Sequence, residues 1–180
     1  VMEEWIVQCE KLLAESDHQE DPDDNSGPSS EFEFWRNRMA KFNSVAEQLK
    51  QRECKCVIGV VSQSKSKVLK RWKSVDNMIT ESLNEAKDNV KYLSALEKYT
   101  EPLYTGTPAT IIECLPALMN NAKMMLTIAR YYGTSSRMTT LFVKLSNQII
   151  TNCKNSIMRP DPGGPAVKLW DQDIAGLLDR

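Results

Sequence analysis

Cys54-Lys55-Cys56 is where this sequence comes nearest to metal chemistry, because thiolates two residues apart can meet one ion. Tetrahedral zinc needs two further ligands, and the chain has a single histidine, His18, set in an acidic segment. With those ligands missing, the spacing reads better as a helix on which one cysteine packs inward and its neighbour faces out. Nucleophilic catalysis is no better supplied. A serine or cysteine nucleophile needs a positioned base, and His18 stands among carboxylates with nothing to hold its geometry. Carboxylates three and four apart are plentiful, but on helices that spacing is the ordinary mark of a solvated face. Phosphate binding would require closely spaced glycines, as in a P-loop or a dinucleotide fingerprint. Gly106 and Gly133 stand alone, and Gly163-Gly164 lies between prolines. The expectation is no catalytic residue, no cofactor-binding residue and no metal ligand.

Interaction chemistry is better represented. Lys65, Lys67, Lys70, Arg71 and Lys73 form a dense basic cluster. It could face an acidic partner, or the acidic run Glu15–Asp24 of the same chain, or only water, since charge runs are usually solvated. The aromatic pairs Phe34-Trp35 and Tyr131-Tyr132 fall near helix ends. One member of each should enter the core, leaving the other at a boundary where such residues often mark interfaces. The candidate partner-interface residues are Lys65, Lys70, Arg71, Lys87, Lys91, Tyr131 and Tyr132.

The elements that must carry these residues are helical throughout. Met2, Trp5, Ile6, Cys9, Leu12 and Leu13 recur at steps of three and four, giving an N-terminal helix over 1–16. Residues 17–30 are acidic and broken by Pro, Gly and Ser, which reads as a linker. Ser30 with Glu33 fits a capping box, opening a helix whose stripe is Phe32, Trp35, Met39, Phe42, Ala46 and Leu49. Serines at Ser62–Lys67 mark a possible break. Beyond it Val68, Trp72, Val75, Ile79, Leu83, Ala86, Val90, Leu93 and Leu96 make one long seam that Pro102 ends. Thr107-Pro108 reads as an N-cap and first turn of a helix carrying Ile111, Ile112, Leu115, Leu118, Met119, Ala122, Met125, Leu126 and Ala129 on to Tyr131-Tyr132. Gly133 is placed to end it in a left-handed conformation, and Thr134 or Ser135 to cap the last long helix, to about Ile157. The module 31–158 is followed over 159–180 by a Pro/Gly turn and a short amphipathic segment, Val167–Leu178. No strand alternation is visible. The fold expected is all-α, an elongated bundle of long antiparallel helices.

Composition agrees. The chain has 180 residues, 41% apolar and 26% charged, with a formal net charge of -1, so nothing draws it as a whole toward nucleic acid or an anionic membrane. There is no signal-peptide pattern and no apolar run long enough to span a bilayer. A start at Val1 reads as a piece of a longer chain. Five cysteines, an odd number scattered through helical pattern, point to a reducing, cytoplasmic compartment.

With the helices laid out, the wording itself is informative. EFWRNRMAKFNSVAEQL, then NEAKDNVKYLSALEKYTEPLY, then LPALMNN with IARYYGTSSRMTTLFVKLSNQII, resembles the N-terminal tail region of dynein heavy chains, most of all axonemal outer-arm chains of the gamma type. The similarity covers about 31–157, in order and with near-matching gaps. The resemblance implies part of the tail, or stem, of a microtubule motor whose ATP-hydrolysing ring lies far downstream, so ATP belongs to the parent chain. It implies helical bundles that join heavy chains to one another, hold intermediate and light chains, and anchor the arm to the axonemal doublet microtubule indirectly. Nucleic acid and membrane are not among the implied partners, and the implied location is the cytoskeleton of the cilium axoneme. Its motifs are structural and identify no binding site. The competing reading is a helical module that binds microtubules directly, with the Lys65–Lys73 cluster against the acidic surface of tubulin.

Overall fold

A computed structural model describes residues 1–17, 27–64, 66–159 and 164–178. The described residues are all-α: no strand occurs among them. In chain order the helices are α1 (Met2–Asp17), α2 (Pro28–Leu49), α3 (Arg52–Gln63), α4 (Val68–Thr100), α5 (Pro102–Thr105), α6 (Pro108–Ile128), α7 (Ser135–Met158) and α8 (Ile174–Leu178), with a 3-10 turn at Leu169–Asp171 before α8.

Several boundaries follow from local chemistry. The helix expected at Ser30 begins two residues earlier, because the fixed φ of Pro28 suits a first turn that has no use for its missing N–H. Ser30 then lies within that first turn, its Oγ donating back to the Gly27 carbonyl at 2.7 Å. The expected linker 17–30 is correspondingly shorter, with Asp17 in α1 and Pro28 in α2. His18 and the rest of 18–26 lie outside the described residues. The serine break is real: Ser62 Oγ and Ser64 Oγ donate to the carbonyls of Ile58 and Val61 at the end of α3, and Ser66 Oγ accepts from Val68 N at the start of α4. Thr107 caps α6 as expected, its hydroxyl accepting from Thr110 N. Pro116 sits inside α6 without ending it.

Two expectations at the end of α6 are corrected. The helix stops at Ile128, so Tyr131 and Tyr132 lie beyond it. Gly133 does not take a left-handed conformation. A Cβ there would come within 2.8 Å of the Ala129 carbonyl oxygen, so this turn requires glycine for close backbone approach.

The described residues fall into two compact units, one made of α1 with Glu31–Lys91, the other of 27–30 with Tyr92 onward. The first has a core of Met2, Ile6, Cys9 and Leu13 from α1, Phe42 from α2, and Trp72, Val75, Ile79 and Leu83 from α4. Arg38 ties α2 to the end of α1: its Nη1 donates to the Ser16 carbonyl at 2.6 Å, while the guanidinium lies 5.8 Å and 5.5 Å from the rings of Trp35 and Phe42. No residue of α3 is fully buried.

The second unit buries Leu93, Leu96 and Leu103 together with Ile111, Leu118 and Met125 of α6 and Met138, Leu141 and Leu145 of α7. The Tyr104 hydroxyl accepts from both Ser29 N (3.0 Å) and Ser29 Oγ (2.7 Å). Gly27 is held so close to Tyr104 and Gln148 that a Cβ would lie 2.9 Å from Gln148 Oε1. The expected segment Val167–Leu178 is two short turns, pinned by Gln172 Nε2 donating to the carbonyls of Ile157 and Val167.

Along α4 the seam runs as read from sequence with one shift. Asn89 is buried and Val90 only half-buried, so the polar residue takes the inward position.

Candidate partner-binding surfaces

The basic cluster is only partly available. Lys65 lies outside the described residues. Lys67, Lys70 and Lys73 are exposed on or just before the first turns of α4. Arg71 is engaged by α1, its Nε donating to Glu10 Oε1 at 2.9 Å and its Nη2 to Glu10 Oε2 in a bidentate pair. That hydrogen bond holds the Glu10 carboxyl below the usual carboxylate range and the Arg71 guanidinium above its ordinary value. The cluster thus serves the packing of the first unit at its centre and offers lysines at its edges.

Lys87 and Lys91 are exposed on α4. Lys87 contributes to lowering the Glu47 carboxyl, after the larger effect of the Lys50 ammonium at 2.8 Å. The tyrosine pair divides. Tyr132 is 1% exposed, so its assignment to an interface is corrected: it is core of the second unit. Tyr131 stays half-buried, its ring edge-to-face with Tyr132 at 4.9 Å and covered by the Arg137 guanidinium at 3.8 Å. Phe34-Trp35 splits likewise, Trp35 buried and Phe34 half-buried at 5.2 Å.

Two features escaped the sequence reading. In the first unit a groove of about 560 Å³ opens between α1, α2 and the start of α3, walled by Trp5, Leu12, Val45 and Leu49, with Cys9 and Cys54 beside it. Burial raises the Cys9 thiol above its ordinary pKa, with Asp76 and Glu10 adding to the effect. Cys54 faces this groove while Cys56 is exposed, which is the inward-and-outward division open to a Cys-x-Cys on a helix. Among the described residues no group of three or more His, Cys, Asp or Glu is placed to hold a metal ion.

The second is α6. Ile112, Met119 and Leu126 belong by spacing to the core stripe, yet they are exposed: Ile112 is 68% exposed, whereas adjacent Ile111 is 2% exposed. The signal was present in the composition. The helix has one acid, Glu113, and one base, Lys123, so its apolar arc is wider than a single packed face can bury.

What kind of chain presents charged long helices and an exposed apolar flank is answered by comparison. The family model for dynein heavy chain, N-terminal region 1, matches residues 1–180. The chain belongs to that dynein heavy chain family. It is 47% identical over 97% of its length to the dynein gamma chain, flagellar outer arm, of Chlamydomonas reinhardtii. It is 46% identical over 95% to dynein axonemal heavy chain 5 of Rattus norvegicus, and 42% identical over 98% to dynein axonemal heavy chain 8 of Mus musculus. The chain spans only 4–5% of the length of these relatives. It is therefore an N-terminal dynein heavy chain segment of the axonemal, outer-arm type. No helix among the described residues is long and apolar enough to cross a membrane.

Proposed function

We propose that this dynein segment is a non-catalytic tail module of a ciliary heavy chain. It scaffolds heavy-chain association and the docking of intermediate and light chains, so that the parent motor can drive microtubule-based ciliary movement. The observation that carries the reading is the match of the whole chain to the N-terminal region of heavy chains. The parent chain's ATPase ring lies elsewhere in its sequence, and this segment works by holding surfaces in register. Lys70, Lys73, Lys87 and Lys91 give it accessible polar docking groups, and α3 with its adjoining groove gives it an incompletely packed one. Contact with the doublet microtubule is through other subunits. The direct microtubule-binding alternative loses ground because Arg71, at the centre of the basic cluster, is already paired with Glu10.

The test is to delete this segment from a full-length heavy chain expressed with its outer-arm subunits. The expected result is loss of co-purifying intermediate chains and of arms on the doublet, with ATP hydrolysis by the soluble chain retained. Retention of the subunits would refute the docking role. Loss of ATP hydrolysis with the subunits still bound would refute the non-catalytic one.

A further inference from the structure

The exposed flank of α6 has a geometry that narrows what covers it. Ile112, Leu115, Met119 and Leu126 follow one another at steps of three, four and seven, the spacing of a coiled-coil seam. At 3.6 residues per turn they share roughly one-sixth of the helix circumference. Three of them are substantially exposed, Ile112 at 68%, Met119 at 38% and Leu126 at 41%, and Leu115 is half-buried. They lie beside, not opposite, the packed face of Ile111, Leu118 and Met125. Of the helix's two charges, Glu113 lies about 130° round the helix from the middle of the strip, while Lys123, four residues after Met119, borders it.

Such a strip asks for another α-helix with a matching apolar stripe. An acidic surface would leave it desolvated without compensation, and a membrane would be met by a single narrow ridge with only Lys123 beside it. Its size decides whose helix. From Ile112 to Leu126 the strip is about 21 Å long and at most about 10 Å wide, so it buries on the order of 200 Å². Stable association of separate proteins takes about 800 Å² from each partner. A strip this small holds a neighbour that is covalently tethered and so present at high effective concentration. The relatives are heavy chains of which these residues are 4–5%, so nearly all of such a chain lies outside the structure.

We propose that the Ile112–Leu126 strip is the packing seat of a helix of the same heavy chain, from outside these 180 residues, that carries its own apolar stripe at heptad spacing. This α6 seat is internal to the polypeptide and distinct from the surfaces that dock other subunits. The inference rests on membership of the heavy-chain family and is independent of the docking reading.

The experiment places a photoreactive benzoylphenylalanine at Met119 in the full-length heavy chain within assembled arms, with a second variant at Ile112. A control at Glu113 sits well round the helix from the strip. Isotopically light and heavy chains are mixed before assembly, and crosslinked peptides are sequenced. The expected result at Met119 and Ile112 is a crosslink to an apolar-striped helix of the same heavy chain, always within one isotope, and little product at Glu113. Pairing of light with heavy peptides would mean a second copy and overturn the inference. So would a link to a smaller subunit, or adducts with solvent alone at both positions. A link to an intermediate or light chain would overturn it while leaving the docking function standing.

Discussion

α4 and α6 are both long helices, and they treat their apolar residues differently. Along α4 the inward line Trp72, Val75, Ile79, Leu83, Ala86, Leu93 and Leu96 is buried throughout, and Lys70, Lys87, Asp88 and Lys91 face water. Its pattern closes on itself: every large aliphatic or aromatic side chain of that line has a neighbour. α6 buries Ile111, Leu118, Ala122 and Met125 and leaves Ile112, Met119 and Leu126 outside. The difference teaches that periodicity identifies a packed face only when apolar and polar residues are sorted into two arcs. Where apolar residues occupy most of the circumference, spacing alone does not say which of them meet a partner within the described residues.

The largest effect that would break this contrast concerns paired neighbours on the two kinds of face. Leu93→Ala and Leu118→Ala, at sites 2% and 1% exposed, should each cost about 2–5 kcal/mol in denaturant unfolding. Met119→Ala, one residue along, should stay within about 0.5 kcal/mol when the 180 residues are unfolded by themselves. Equal losses at Leu118 and Met119 would show that the flank of α6 is core after all.

The next prediction sharpens the α4 side. Asn89 is 2% exposed and its Nδ2 has no hydrogen-bond partner in the structure. An unsatisfied buried amide costs about 1–3 kcal/mol, so Asn89→Leu should stabilise the fold by about 1 kcal/mol. A lower unfolding midpoint for that variant would mean that the amide is satisfied and the seam is polar by design. Smaller again is the cap of α6, where Thr107→Ala should cost about 1 kcal/mol and Thr107→Asn almost nothing.

The smallest effect is electrostatic. Glu10 is held below the usual carboxylate range by Arg71, so the folded pKa lies below the unfolded one. The pair's contribution is present above the ordinary carboxylate pKa and is lost as pH falls through the lowered value. An NMR titration of the Glu10 side chain should return it to the ordinary range in Arg71→Ala. No movement would dissolve the pair and release the basic cluster as a free surface.

Much of the architecture was legible because local signals agreed with one another. The serines at 62–67, Pro102 and Thr107-Pro108 each mark a boundary through backbone chemistry that does not depend on what packs nearby. The seam of α4 was legible because polar and apolar arcs are cleanly separated there, and only the choice between Asn89 and Val90 needed coordinates. Gly133 was misread because glycine serves both left-handed turns and close backbone approach, and the sequence does not distinguish them. Tyr132 was misread as surface because either member of an adjacent aromatic pair can turn inward. The bidentate hold of Glu10 on Arg71 joins residues far apart in sequence and carries no local signature. The groove walled by Trp5, Leu12, Val45 and Leu49 likewise arises only once helices meet.

The docking role is tested most directly by lysine crosslinking with mass spectrometry on intact outer-arm particles, reading Lys70, Lys73, Lys87 and Lys91. The account predicts links from these lysines to an intermediate chain or to another heavy chain. Links confined to the same heavy chain at all four would contradict it and make this part of the tail a spacer.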